Sequence, residues 1–155
     1  MNGKKIAACI LTTTTWLAAG CSRSAGDTDL LGQFAAATCV PPSQHDSDGA
    51  RLWRERVTTA SGLTVEIRGI EDRTGRIAVD FGSGDSVPAV DPGDFFAPVE
   101  VRLDKLREQL LVKAEGASAM GGGDETWLFM YDLRKRALLK KTQIDSKGWK
   151  DCPSQ

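Results

Sequence analysis

The sequence predicts an all-β domain: a small antiparallel sandwich, barrel or meander of about six to seven strands, preceded by a short N-terminal helical turn. Three observations lead there. Apolar and polar residues alternate with a period of two in several short stretches, the pattern of a strand buried on one face. Polar, glycine-bearing turns separate these stretches at hairpin spacing. Helical periodicity is confined to residues 30–40 and 103–112, and Gly116 and the glycines after it stop the second from extending.

The chain opens with Lys4 and Lys5 ahead of a mostly apolar run over residues 6–17. A bilayer-spanning helix needs about 20 residues, so residues 1–20 are expected to be a removable export signal. Leu17-Ala18-Ala19-Gly20 before Cys21 resembles the lipobox of bacterial lipoproteins, with Ala18 where the commonest form has Leu. That resemblance implies that Cys21 carries lipid, palmitate included, and becomes the first residue of the mature protein. Each buried lipid methylene contributes about 0.8 kcal/mol, so several chains make a firm anchor. Residues 21–30, small and polar from Ser22 to Asp29, read as a lipidated tether. Residues 31–155 read as one β-rich domain. Ser22 after the acylated cysteine, rather than aspartate, favours the outer membrane of a double-membraned bacterium, facing the periplasm.

Within the domain, residues 30–40 suit a turn or two of helix that Pro41 and Pro42 end. Residues 43–49 form a polar loop holding His45. Trp53, Glu55 and Val57 mark a noisy strand. Leu63, Val65 and Ile67, then Ile77, Val79 and Phe81, alternate cleanly on either side of Glu71-Asp72-Arg73-Thr74-Gly75, a predicted hairpin over 63–82. Val99, Val101 and Leu103 continue the pattern, residues 109–115 follow as a strand, and Trp127, Phe129 and Tyr131 make an aromatic stripe. Residues 137–144 close the set after the basic turn Arg134-Lys135-Arg136. No internal repeat at a solenoid period is present.

Removing residues 1–20 lowers the basic count from 20 to 18 against 21 acids, a net charge of about −3. A nucleic-acid binder usually shows a basic patch or stripe, and none is expected here. Cys9 leaves with the signal and lipid consumes Cys21, so Cys39 and Cys152 remain and are expected to form one disulfide. Closing a loop of that length is worth about 4–5 kcal/mol in the chain-entropy model. Two cysteines and a single histidine make an incomplete metal-ligand set, and neither cofactor nor metal is expected.

Four segments invite a chemical reading. Gly84-Asp85-Ser86 is similar to the nucleophile block of a lipase and esterase superfamily, whose chemistry needs a histidine base. That family places its histidine near the C-terminus, whereas this chain has none after His45, so a glycine-rich turn is the expectation. Asp80, Asp85, Asp91 and Asp94 could offer oxygens to calcium, yet their spacing does not match an EF-hand, and solvated turn aspartates explain them. Gly116, Ala117, Ser118, Ala119, Met120, Gly121, Gly122 and Gly123 form the most unusual internal stretch, expected to be a hairpin loop, either a plain linker between strands or a candidate partner-binding loop whose small residues enter a narrow cleft.

The fourth segment runs from Asp104 through Glu108-Gln109-Leu110-Leu111-Val112, across the glycine stretch, to Trp127-Leu128-Phe129-Met130-Tyr131-Asp132-Leu133. It resembles a hairpin of small exported β-domains, some of them lipoproteins that inhibit lysozymes or give immunity to secreted cell-wall-degrading toxins. Calcium-binding relatives of that hairpin carry an Asp-rich turn where this chain has Asp104-Lys105-Leu106-Arg107. Periplasmic lysozyme inhibitors use a Ser-Gly-x-x-Tyr loop, whereas Ser118 is followed by alanine. The expectation is therefore a non-enzymatic lipid-anchored envelope protein that binds a protein partner, as an inhibitor or immunity factor against a cell-wall hydrolase. The rival expectation is a structural accessory of an envelope secretion or assembly complex.

Overall fold

A computed structural model describes residues 25–45, 51–69, 75–91, 96–117, 124–145 and 151–152. One helix, α1 (Ala25–Ala36), precedes eleven strands among the described residues: β1 (Thr38–Val40), β2 (Gln44–His45), β3 (Arg51–Leu52), β4 (Arg54–Thr58), β5 (Thr64–Gly69), β6 (Ile77–Asp80), β7 (Ser86–Val90), β8 (Phe96–Asp104), β9 (Gln109–Ala117), β10 (Asp124–Asp132) and β11 (Ala137–Ile144). Nine of these strands make two antiparallel sheets, one ordered β1-β8-β9-β10-β11 and the other β4-β5-β6-β7, while β2 and β3 pair as a separate ribbon. The all-β expectation holds, in its sandwich form. Neither sheet closes into a barrel.

The alternation read from the sequence is what joins the sheets. Val65 and Ile67 of β5 and Ile77 and Val79 of β6 bury against Val101, Leu103, Leu110, Val112, Phe129 and Tyr131 of the larger sheet. Each is 3% exposed or less. Trp53 closes one side of this core, its indole Nε1 donating to the Val40 carbonyl at 2.9 Å, which satisfies the polar atom of a buried ring. A second cluster lies on the other face of the five-stranded sheet, where Leu30 and Phe34 of α1 cover Leu111 and Leu128. The i, i+4 spacing of Leu30 and Phe34 places both on one side of the helix.

Several boundaries differ from the sequence reading. The strand count exceeds six or seven because β1, β2 and β3 are only two or three residues long and β7 follows no clean alternation. In β7, Pro88 pairs with Ala78 at the sheet's edge, the position where a missing N–H costs no ladder bond. The helix begins at Ala25, inside the stretch read as tether, and ends at Ala36, so that Val40 enters the main core from β1. Residues 103–112 are not helical but end β8 and start β9, joined by a turn in which Glu108 takes φ 56°. His45 lies in the β2–β3 ribbon, paired with Arg51, rather than in a loop. Gly116 and Ala117 belong to β9: Gly116 pairs with Phe96 on one side and Glu125 on the other, so the ladder overrides glycine's freedom.

Candidate functional site

The hairpin order of the large sheet sorts its connections. The turns after β8 and after β10, residues 105–108 and 133–136, fall at one end, and the β9–β10 connection at the other. The β9–β10 ladder runs from Gln109↔Asp132 to Ala117↔Asp124 with no register shift. It therefore carries the binding-loop candidate on nine consecutive cross-strand pairs. Of that candidate, Gly116 and Ala117 are ladder residues, and Ser118, Ala119, Met120, Gly121, Gly122 and Gly123 lie outside the described residues, as does Cys21. The strand ends beside the connection carry Glu115, Asp124 and Glu125. Glu115 sits 2.8 Å from the Lys113 ammonium, and Glu125 accepts from the Trp127 indole at 3.1 Å.

Cys39 and Cys152 are joined by a disulfide, with Cα atoms 5.9 Å apart across 113 positions of sequence. Beside it lies a row of charges. Glu100, Arg102 and Asp104 of β8 and Lys113 of β9 are all buried, under α1 and the C-terminal residues. Arg102 holds Glu100 Oε1 at 2.5 Å, gives Nη1 to the carbonyls of Phe34 and Ala35 at 3.2 Å each, and lays its guanidinium 4.7 Å from the Phe34 ring centre. These are the last carbonyls of α1, which has no basic residue in its own final turn, so β8 supplies the cation its C-terminus favours. Lys113 bridges Glu115 and Asp151 at 2.8 and 3.0 Å; burial pushes its pKa down, but the two carboxylates outweigh it and leave it raised.

The opposite end of the sheet is tied by Glu108. Its buried carboxylate accepts from Ser61 Oγ, from Thr59 Oγ1 at 2.5 Å and from Arg134 Nε. Those bonds, the Ser61 and Thr59 hydroxyls first, lower its pKa from 4.5 to about 2 against the opposing effect of burial. One carboxylate thus fastens three turns, with the Glu108 carbonyl also accepting from Leu133 N at 2.9 Å. No sequence signal marks this residue.

The other candidate chemistry does not assemble. Ser86 starts β7, exposed and paired with Asp80, while His45 sits in the separate ribbon. Gly82 and Gly84 take positive φ (82° and 84°), making the glycine-rich turn that was expected. Asp80 accepts from Gly82 N at 2.7 Å and pairs with Arg68, Asp91 pairs with Arg76 at 3.0 Å, and Asp94 lies outside the described residues. Asp80 is thereby held below its ordinary pKa, chiefly by the Gly82 amide. Among the described residues, one group gathers metal-ligand atoms within 4.8 Å: Cys39, Glu100 and Cys152. The disulfide occupies both of its sulfurs. Among them, too, no helix is long and apolar enough to cross a membrane. Comparison of the chain with protein-family models, curated proteins and solved structures finds no match.

Proposed function

We propose that this chain is a lipid-anchored protein of the bacterial envelope that binds a protein partner through the β9–β10 connection, as an inhibitor or immunity factor against a cell-wall hydrolase. The observation that carries this reading is the nine-pair, shift-free β9–β10 ladder leading into six residues, 118–123, five of them small, between acidic strand ends. A binding loop gains from such a mount, because a rigid scaffold lowers the ordering cost of association. The acidic flank suits a basic hydrolase, and small side chains suit a narrow catalytic cleft. No reaction is assigned to this chain. Its chemistry is that of fit.

The test is inhibition. The chain from Ser22 onward is titrated into each of a set of purified peptidoglycan hydrolases, lysozymes among them, while turbidity of a cell-wall suspension is followed. Hydrolysis should fall, and Ala119→Trp should restore it at least tenfold while leaving the thermal midpoint within about 2 °C, since one clash in a close-fitting interface costs heavily. Undiminished hydrolysis at all ratios removes the inhibitor role. The anchor is tested apart, by palmitate labelling: Cys21→Ser should abolish the label and release the protein from the membrane fraction. Persistent labelling rules Cys21 out.

A further inference from the structure

We infer that the turn end of the five-stranded sheet is a docking surface for anionic phospholipid headgroups. The inference does not depend on lipid at Cys21 or on the β9–β10 connection. It begins with a side chain that packing does not explain. Leu106 is 85% exposed in the β8–β9 turn, the most exposed of the large hydrophobic side chains among the described residues. It stands between the exposed cations Lys105 and Arg107.

The neighbouring turn repeats the theme. Gln109 and Asp132 pair, the Glu108 carbonyl accepts from Leu133 N, and Arg134 reaches Glu108, so the turns 105–108 and 133–136 lie side by side. Arg134, Lys135 and Arg136 are exposed there. Leu138 and Leu139 follow on edge strand β11, 48% and 43% exposed. The carboxylates of this end are turned inward. Asp104 Oδ1 accepts from the amides of Leu106 and Arg107 at 3.1 and 3.0 Å, Asp132 Oδ1 accepts from the amide of Lys135 at 2.8 Å, and Glu108 is buried. Arg107 pairs with Asp104 at 2.8 Å, Arg134 with Glu108 and Lys135 with Asp132 at 3.7 Å, so the five exposed cations Lys105, Arg107, Arg134, Lys135 and Arg136 exceed the three acids beneath them by two charges, on a chain of net charge −1.

The shape selects the partner. A protein interface would answer an exposed leucine with a matching pocket, and here Leu106 stands 85% exposed in a turn between two exposed cations. A lipid interface accepts single protruding apolar side chains between headgroups, while surrounding Lys and Arg gain from the anionic surface within a Debye length. Docking by this end would also direct the β9–β10 connection away from the bilayer by the length of a nine-residue strand, roughly 30 Å.

The experiment uses the unlipidated chain from Ser22 to Gln155, which keeps every described residue, and vesicles of phosphatidylglycerol with phosphatidylethanolamine against vesicles of phosphatidylcholine. Sedimentation should recover about tenfold more protein with the anionic vesicles, and raising salt from about 0.05 to about 0.5 M should remove most of it. Leu106→Asp and Lys135→Glu, both at exposed positions, should each lower recovery severalfold with unchanged thermal midpoints. Equal recovery with both vesicle types, salt-independent recovery, or recovery indifferent to both substitutions overturns the inference. So does binding of soluble polyglutamate in the absence of vesicle binding, which would assign the surface to an acidic protein. Palmitate labelling reports on the Cys21 anchor alone, so the two ideas can fail separately.

Discussion

The two faces of the five-stranded sheet are held by different means. The inner face, built from Val101, Leu103, Leu110, Val112, Ala114, Phe129 and Tyr131, meets the four-stranded sheet with apolar surface throughout. The outer face mixes Leu111 and Leu128 with Glu100, Arg102, Asp104 and Lys113, and is closed by α1, the disulfide and Asp151. Burial of apolar area is non-directional and tolerates small shifts. A buried charge is favourable only while its partner stays in place. The outer face therefore needs fixed covers, and the covalent link sits where the cover would otherwise lift: Cys39 pairs with Arg102 across β1 and β8, and Glu100 Oε1 lies 3.0 Å from the Cys152 sulfur.

The largest effect should come from breaking that link. Joint replacement of Cys39 and Cys152 by serine removes a cross-link across 113 positions, worth about 4–5 kcal/mol in the chain-entropy model. The thermal midpoint should fall by more than about 10 °C. Amide exchange should rise on α1 and β1 before it rises on β5 and β6. Uniform acceleration on both faces would show that the disulfide serves the whole domain and not the outer face.

Next come single substitutions that pit the faces against each other. Phe129→Ala leaves a cavity in the inner core and should cost about 3–5 kcal/mol. Arg102→Ala removes the guanidinium that faces Glu100 and the Phe34 and Ala35 carbonyls and should cost about 3 kcal/mol. Urea unfolding measures both. The two should part when Glu100 is replaced as well: adding Glu100→Leu to Arg102→Ala should recover part of the loss, because no uncompensated charge then remains. If the second change makes matters worse, Glu100 has partners that matter more than Arg102.

These faces also differ in how far the sequence disclosed them. Val65, Ile67, Ile77, Val79, Val101 and Leu103 were legible because the inner face follows strict alternation against a sheet of the same pattern. Glu100, Arg102 and Lys113 obey the same alternation, but the rule that charge faces water does not describe them. Their burial is created by α1 and by residues 151–152, which approach from more than 35 positions away and leave no local trace. The cysteine pair was legible by elimination in a chain read as exported. The bonds of Glu108 to Thr59 and Ser61, 49 and 47 positions away, were beyond any local pattern. For the β9–β10 connection, the sequence marked the small residues, and the structure adds the ladder that ends in them.

Acid should separate the faces further. Glu108 has its pKa lowered from 4.5 to about 2 by the Ser61, Thr59 and Arg134 bonds. Asp104 is also lowered, burial being outweighed by the Arg107 amide and guanidinium. A carboxyl depressed in the folded state adds stability above its unfolded pKa, and that stability is lost as pH falls through the folded value. The midpoint should thus hold near pH 5 and decline from about 4.5 toward 2. Glu108→Gln should start lower and flatten that decline, as seen by thermal melts at fixed ionic strength. An unchanged slope would place the acid sensitivity elsewhere.

The smallest effect concerns a buried polar atom of the inner face. Tyr131 is 1% exposed, its side chain belongs to the main core, and its hydroxyl finds no hydrogen-bond partner among the described residues. Burial raises its pKa by more than the nearby Arg136 charge lowers it. A hydroxyl in that position has given up water without replacement, a cost of about 1–3 kcal/mol set against the packing of one oxygen. Tyr131→Phe removes the uncompensated group and leaves the ring in place. The substitution should therefore be neutral or stabilising by up to about 1 kcal/mol, a shift of a few degrees. A loss above about 1 kcal/mol would mean that the hydroxyl is hydrogen-bonded in solution, through water or a segment near the core, and that the inner face is not held by apolar contact alone.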